Sequence, residues 1–245
     1  MYLSQLKLTQ FKNYEQQSLT LSPRLNCLTG LNGMGKTNVL DAVHYLCLCK
    51  NHTGLNDKQL IRHGAGFFRL EGHFVSEEEV QKVVAKYQSG QRKEIERNGT
   101  AYERLTDYIG QFPVVMIAPD DVTLVQDGSE DRRRFLDATL SQISPGYLQN
   151  LLTYNALLKQ RNALLKSFAE QKRFDAILLE SIDHQMPAPA AVLFEQRSNF
   201  VETFRPLFRE LYAAIANSKE AVDVSYESDL SDGPLEDLLP GVLEK

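Results

Sequence analysis

Gly30, Leu31, Asn32, Gly33, Met34, Gly35, Lys36 and Thr37 are the residues best suited to chemistry in this chain. They fit G-x-x-x-x-G-K-[ST], the phosphate-binding loop pattern. Its glycines let the backbone turn tightly, so that successive N–H groups point into one concave nest. A helix opening at the end of the loop would add partial positive charge where phosphates sit. Lys36 is expected to reach the β- and γ-phosphates, and the Thr37 hydroxyl to hold Mg²⁺. Hydrolysis asks for more: a second acid on an apolar strand that holds the metal and orders water. Val114-Val115-Met116-Ile117-Ala118-Pro119-Asp120-Asp121 offers acids, but Pro119 ends the apolar run before they arrive.

The loop must be positioned by a strand before it and a helix after it. Leu25-Asn26-Cys27-Leu28-Thr29 reads as a short buried strand. From Thr37 onward, Val39, Leu40, Val43, Leu46 and Cys47 fall at helical spacing. Upstream, residues 2–11 and 17–21 alternate as two strands, joined by Phe11-Lys12-Asn13-Tyr14, a polar turn with one buried ring. Residues 51–66 read as loop, with a short helix over 57–62. Strands are expected over 67–75, 79–88, 92–97 and 100–102. Ser89-Gly90 and Asn98-Gly99 punctuate them as hairpins, which makes an antiparallel meander. Ser89-Gly90-Gln91-Arg92 superficially matches the Ser-Gly signature of transport ATPases. That signature opens a helix, so here it reads as a turn, and Glu77-Glu78-Glu79 as another. Residues 113–117 suggest a buried strand and 120–125 a short helix or turn.

Gln126-Asp127-Gly128-Ser129 marks a boundary, beyond which the pattern turns helical. One helix is expected over 130–142 and a long one over 145–168, opened by Ser144 as N-cap and Pro145 as the first helical residue. Another covers 174–185. Met186-Pro187-Ala188-Pro189 should break it, 191–203 resume, and Pro206 bend or break the chain before 207–217. Residues 221–226 alternate like a returning strand, and 228–245 look like loop or frayed end. The fold class is α/β. The expected division is a nucleotide-binding lobe at 1–128, a helical domain at 129–220, and a returning strand with acidic tail at 221–245.

The chain has 245 residues, 42% hydrophobic and 24% charged, an ordinary globular balance. No apolar run approaches a membrane span, and Lys7 and Lys12 interrupt any signal-peptide core, so a cytoplasmic location is expected. Cys27, Cys47 and Cys49 sit in apolar contexts and read as reduced core residues. Cys47-Leu48-Cys49 and the five histidines lack metal-ligand spacing. The net charge of −5 is unevenly placed: residues 1–128 carry 14 basic and 14 acidic side chains, 129–220 carry 12 and 11, and 221–245 carry 1 and 7. A nucleic-acid partner would therefore need a local basic patch. Arg132, Arg133, Arg134, Lys159, Arg161 and Lys166 are candidates, with solvated helix faces as the plainer reading.

Several motifs in order resemble the bacterial RecF family, ABC-type ATPases related to SMC proteins. Leu6 to Tyr14 is similar to the family's first strand and its Phe-[Arg/Lys]-Asn-Tyr element. The phosphate loop followed by Asn38-Val39-Leu40-Asp41-Ala42 resembles its G-x-N-G-x-G-K-T-N-[IVL]-[IVL]-[DE]-A run. Residues 112–125 resemble its apolar strand and Pro-Glu-Asp-Leu stretch. Arg132-Arg133-Arg134-Phe135-Leu136-Asp137 resembles its Arg-Arg-x-Phe-[LI]-Asp element, and Leu158-Lys159-Gln160-Arg161-Asn162-Ala163-Leu164-Leu165 its Leu-Lys-Gln-Arg-Asn-x-Leu-Leu helix.

The resemblance implies an ABC-type ATPase half-head with a mixed sheet and the antiparallel meander, plus a mostly helical second domain. It implies ATP and Mg²⁺ as ligands, with Lys12, Asn13 and Asn38 joining the nucleotide contacts. Implied partners are single-stranded and gapped or junction DNA, RecR and RecO, and a second copy in an ATP-dependent homodimer, with no membrane. Implied roles are recombinase loading, replication, repair and the SOS response, with weak DNA-dependent ATPase activity. The family's signature segment, acid-ended strand and switch His are not found in these residues. Impaired hydrolysis and an exposed apolar sheet edge are expected to follow. The competing reading is a free-standing P-loop kinase or phosphotransferase with a helical lid. A nuclease-associated SMC-like head with a short coiled coil is disfavoured by Pro187, Pro189 and Pro206.

Overall fold

The computed structural model describes residues 1–77, 79–126, 128–216 and 221–242, with the side chains of 120, 123 and 240–242 outside that description. Glu78 in the expected acidic turn, Asp127 at the expected boundary and Asn217 at the expected helix end fall outside it too. The chain forms two compact units, Met1–Val122 and Thr123–Lys245.

In the first unit, β1 (Tyr2–Phe11), β2 (Tyr14–Thr20), β3 (Phe67–Ser76), β4 (Glu79–Gln88), β5 (Glu94–Arg97) and β6 (Thr100–Ala101) form one sheet. Its order is β2-β1-β3-β4-β5-β6. Period-two alternation decides the faces. Leu6 and Leu8 of β1, Phe68, Leu70 and Phe74 of β3, Val83 and Ala85 of β4 and Ile95 of β5 belong to one buried core. Helix α1 (Lys36–Leu48) adds Val39, Ala42, Tyr45 and Leu46 to that core. Gly72 permits the close approach, since a Cβ there would lie 2.9 Å from Leu46 Cδ1. The far end of the helix is fixed by Tyr108, whose hydroxyl donates to the Leu46 carbonyl, and by Lys93, which donates to the Cys49 carbonyl at 2.6 Å.

Every ladder among the described residues is antiparallel, so the mixed pairing expected of the sheet does not form. Two apolar runs account for the difference. Residues 25–29 and 113–117 are not strands: Leu25 is 77% exposed, and Val115 and Ile117 are each 85% exposed. A strand exists only where a neighbour takes up its backbone N–H and C=O groups, and apolar composition alone supplies none. Cys27 is accordingly exposed rather than a core residue. Cys47 and Cys49 are buried, and burial pushes both thiols up to about 12. The tight turn at Ser89-Gly90, with Gly90 at φ +83°, confirms that Ser89-Gly90-Gln91-Arg92 opens no helix.

The second unit is helical: α2 (Thr123–Gln126), α3 (Ser129–Ile143), α4 (Pro145–Gln171), α5 (Ala176–Asp183), α6 (Pro187–Ile215) and α7 (Leu235–Val242). Ser144 caps α4 by accepting from the Tyr147 N–H, with Pro145 at the first position. Leu140, Tyr147 and Leu193 form a small core, flanked by Leu151, Tyr154 and Phe200. Residues 187–215 form one helix, not two segments parted at Pro206. Pro187 and Pro189 lie in the first turn, where N–H groups have no intrahelical acceptor to lose. Pro206 removes one ladder bond, and a stripe of Phe200, Phe204, Phe208 and Tyr212 at successive four-residue steps carries α6 past it. Residues 221–226 form no strand. Instead Arg205 donates to the Val224 carbonyl at 2.8 Å and Arg209 pairs with Asp223 at 2.6 Å. The acidic tail contains α7 where loop was expected. No described helix is long and apolar enough to cross a membrane.

Candidate nucleotide site

Lys36 is the first residue of α1, and Gly35, its N-cap, adopts the left-handed conformation at φ 95°. Gly30 and Gly33 are also at positive φ, 140° and 81°. Those angles are strained for any residue with a Cβ, so the loop backbone depends on glycine there. Lys36 Nζ donates to the carbonyls of Gly30 at 2.8 Å and Leu31 at 2.9 Å, drawing the start of the loop to its end. No side chain caps α1. Its first-turn N–H groups have no intrahelical acceptors, the arrangement that lets a helix start hold anionic oxygens. Thr37 is exposed in that same turn.

The β1–β2 turn is strapped onto this loop. The Phe11 ring is fully buried, edge-on to Phe68 at 5.4 Å. Lys12 sits at φ 50° and its backbone N–H donates to the Leu60 carbonyl at 2.8 Å. Asn13 Oδ1 accepts from Asn38 Nδ2 at 2.8 Å, and the Tyr14 hydroxyl donates to the Gly35 carbonyl at 3.2 Å. Sequence reasoning missed a further strap: the Lys12 ammonium forms an ion pair with Asp41, which is 1% exposed. The second oxygen of Asp41 is buried with no hydrogen-bond partner among the described residues. The Lys12 charge is engaged by α1 through Asp41, so Lys12 positions the turn, and Asn13 and Asn38 border the loop.

The donor set fits a nucleotide phosphate with a divalent cation: uncapped helix N–H groups, an ammonium within the loop, and a hydroxyl one residue later. Asp121, one of the two acids that follow the 113–117 run, accepts from the Ala118 N–H at 2.7 Å and closes its own turn. The side chain of Asp120 lies outside the described residues.

The proposed DNA contacts divide. Arg161 is 5% exposed and donates to Asp183 at 2.7 Å, so it holds α4 to α5 and leaves the candidate set. Arg134 pairs with Glu130 at 2.5 Å and Asp131 at 3.2 Å. Arg133 donates to Ser129 at 2.8 Å and Arg132 to the Leu124 carbonyl at 3.1 Å. These arginines, Lys159 and Lys166 remain exposed. Asp137, in the same motif, is half-buried and paired within the unit: Arg197 donates to it at 2.7 Å, and the Tyr147 hydroxyl donates to it as well.

A G-x-x-x-x-G-K-T loop opening a helix, with that helix packed on an antiparallel sheet, defines a P-loop ATPase head. The family model described as RecF/RecN/SMC N terminal domain matches residues 2–120. The DNA replication and repair protein RecF of Porphyromonas gingivalis is 42% identical over 241 residues, covering 98% of this chain and 65% of that protein. Its Flavobacterium johnsoniae counterpart is 38% identical over 245 residues, covering 100% of this chain and 68% of that protein. The solved structure of the recombination mediator protein RecF with ATP, in the RecFOR pathway, superposes with a TM-score of 0.85 at 26% identity, covering 100% of this chain and 66% of that one. The chain belongs to the RecF family. It spans about 65% of the length of the Porphyromonas relative.

Proposed function

We propose that this chain binds ATP with Mg²⁺ and acts in recombinational DNA repair and replication, engaging DNA at single-strand gaps and junctions. The observation that carries the reading is the complete phosphate loop, held in place by the Phe11–Tyr14 turn through Asn13–Asn38 and Tyr14–Gly35. Lys36 and the first-turn N–H groups take the phosphates, and Thr37 takes the cation. When bound, Mg²⁺ neutralises phosphate charge. Gly30 to Asn38 and Asn13 are the nucleotide contacts. Arg132, Arg133, Arg134, Lys159 and Lys166 are DNA contacts of the helical unit.

The family relationship supports the rest of the reading: partnership with RecR and RecO, an ATP-dependent homodimer, recombinase loading, a part in the SOS response and a cytoplasmic site of action. It favours this function over a free-standing kinase or phosphotransferase. The test is fluorescence anisotropy of a labelled gapped duplex with and without ATP–Mg²⁺. Tighter binding to gapped duplex in the presence of nucleotide is expected. Nucleotide binding with no DNA binding under any condition would overturn the reading.

A further inference from the structure

The sheet face opposite α1 carries a charge cluster that no sequence motif announces. Antiparallel register sets Lys7 of β1 opposite Glu71 of β3, and His73 of β3 opposite Lys82 of β4. Four basic side chains thereby converge on one carboxylate. Glu71 lies 3.0 Å from Lys7, 2.6 Å from Arg69, 3.0 Å from His73 and 3.4 Å from Lys82. The acid is at the bottom: its side chain is 5% exposed, against 40% for Lys7 and 47% for Lys82. Counting Lys7, Arg69 and Lys82 against Glu71, three cations meet one anion, a surplus of two positive charges.

The surroundings bound the patch. Toward β2 the same face presents uncharged Gln5, Thr9, Gln16 and Ser18. Toward β5 it ends in an acidic border, where Glu96 pairs with Lys86 at 2.5 Å and Glu94 stands opposite Lys86. Val84, the apolar side chain in the middle of the face, is 3% exposed, and Tyr2, Val75 and Val80, the last 57% exposed, border the cluster at one end. Protein-binding surfaces centre on aromatic or apolar anchors seated in pockets, and the middle of this face offers none among the described residues. Neighbouring strands lie about 4.8 Å apart, so β1, β3 and β4 spread these cations over roughly 10 Å. A nucleic-acid strand in a duplex carries one charge per about 3.4 Å of axis, so the patch matches two or three successive phosphates.

We propose that this face of the sheet is a phosphate-backbone contact surface for nucleic acid, with Lys7, Arg69 and Lys82 as the contacting cations and Glu71 as the residue that holds them in place. The inference rests on the DNA-binding reading above and adds a surface in the first unit to the helical candidates. Holding long side chains in place before binding reduces the ordering they must undergo on contact. Contacts of this kind discriminate little between sequences and depend steeply on salt.

The test is the salt dependence of binding to a labelled gapped duplex. Lys82, the most exposed member, is replaced first: Lys82→Gln should lower the slope of log K against log[salt] by roughly 0.9, the loss of one phosphate contact. Lys7→Gln with Lys82→Gln should lower it by roughly twice that, while Lys7→Arg with Lys82→Arg keeps the wild-type slope. Glu71→Gln separates function from structure. It releases the cations from their internal anion: the lost pre-ordering should weaken affinity, while one more positive charge is free to meet phosphate and the slope becomes steeper by roughly one. A merely structural cluster would leave the slope where it was. Unchanged slopes in Lys82→Gln and in folded Glu71→Gln, with wild type still binding DNA, would overturn this inference and leave the DNA-binding reading standing. Failure of wild type to bind any DNA would overturn both. Retention of poly-glutamate in place of DNA would assign the face to an acidic protein and overturn it as well.

Discussion

The side-chain amide of Asn13 occupies the space that a methyl group on Gly35 would need: a Cβ built there would lie 2.6 Å from both Asn13 Nδ2 and Asn13 Oδ1. This contact joins the first hairpin to the phosphate loop, so the loop's shape depends on residues more than twenty positions upstream. Gly35→Ala meets two obstacles, a left-handed backbone and a displaced Asn13. The left-handed conformation alone costs about 1–2 kcal/mol for a residue with a Cβ. Urea unfolding should show at least that loss, accompanied by weaker ATP binding. A Gly35→Ala chain as stable as wild type would show that the contact carries no weight.

The ion pair of Lys12 with Asp41 should be structural. Removing one member of a buried pair leaves the other uncompensated, at a cost of about 3–5 kcal/mol. Asp41→Ala is therefore expected to destabilise the first unit by that order, and Lys12→Met with Asp41→Leu to recover a large part of it. Chemical denaturation of the three chains decides. A double variant no better than Asp41→Ala would point to a role for the charge itself.

Acid stability should carry the mark of Glu71. Burial pushes its carboxyl up, but hydrogen bonds from His73, Arg69 and Lys7 more than reverse this, and it titrates well below the ordinary 4.5. The folded chain then holds fewer protons on this group than the unfolded chain. Its stabilisation is complete above the unfolded value of 4.5 and is lost as the pH falls through the folded value. Between about pH 7 and about pH 3, wild type should lose more stability than Glu71→Gln. Parallel losses in the two chains would exclude this contribution.

Arg161 should behave as an internal residue of the helical unit. Arg161→Met strands the half-buried Asp183 and should destabilise the unit by about 3–5 kcal/mol, with no change in the salt slope of DNA binding. A lower slope in a fully folded Arg161→Met chain would return it to the DNA contacts.

What was legible in the sequence is what local chemistry determines. The phosphate loop, the alternation of β1 and β3, the hairpin glycines and the Ser144-Pro145 helix start all depend on residues within a few positions of one another. Residues 25–29 and 113–117 look like strands because apolar runs do, yet a strand also needs a ladder partner, which composition does not specify. Pro206 suggests a bend or break, because the aromatic stripe that carries α6 past it draws on packing that a local pattern does not show. Arg161 and Arg133 are the same residue type in basic stretches, and Asp183, twenty-two positions away, is what separates them. The Glu71 cluster was invisible for a similar reason: Lys7 and Glu71 meet only through sheet register.

The central claim is that residues 30–37 form a working nucleotide site. Calorimetric titration of ATP–Mg²⁺ into wild type and Lys36→Ala tests it most directly, with urea unfolding of both to confirm equal folding. Loss of a charged hydrogen bond of about 1.5–3 kcal/mol predicts binding by wild type and affinity lower by roughly 10- to 100-fold in Lys36→Ala. Equal affinities, or no binding by folded wild type, would contradict the claim.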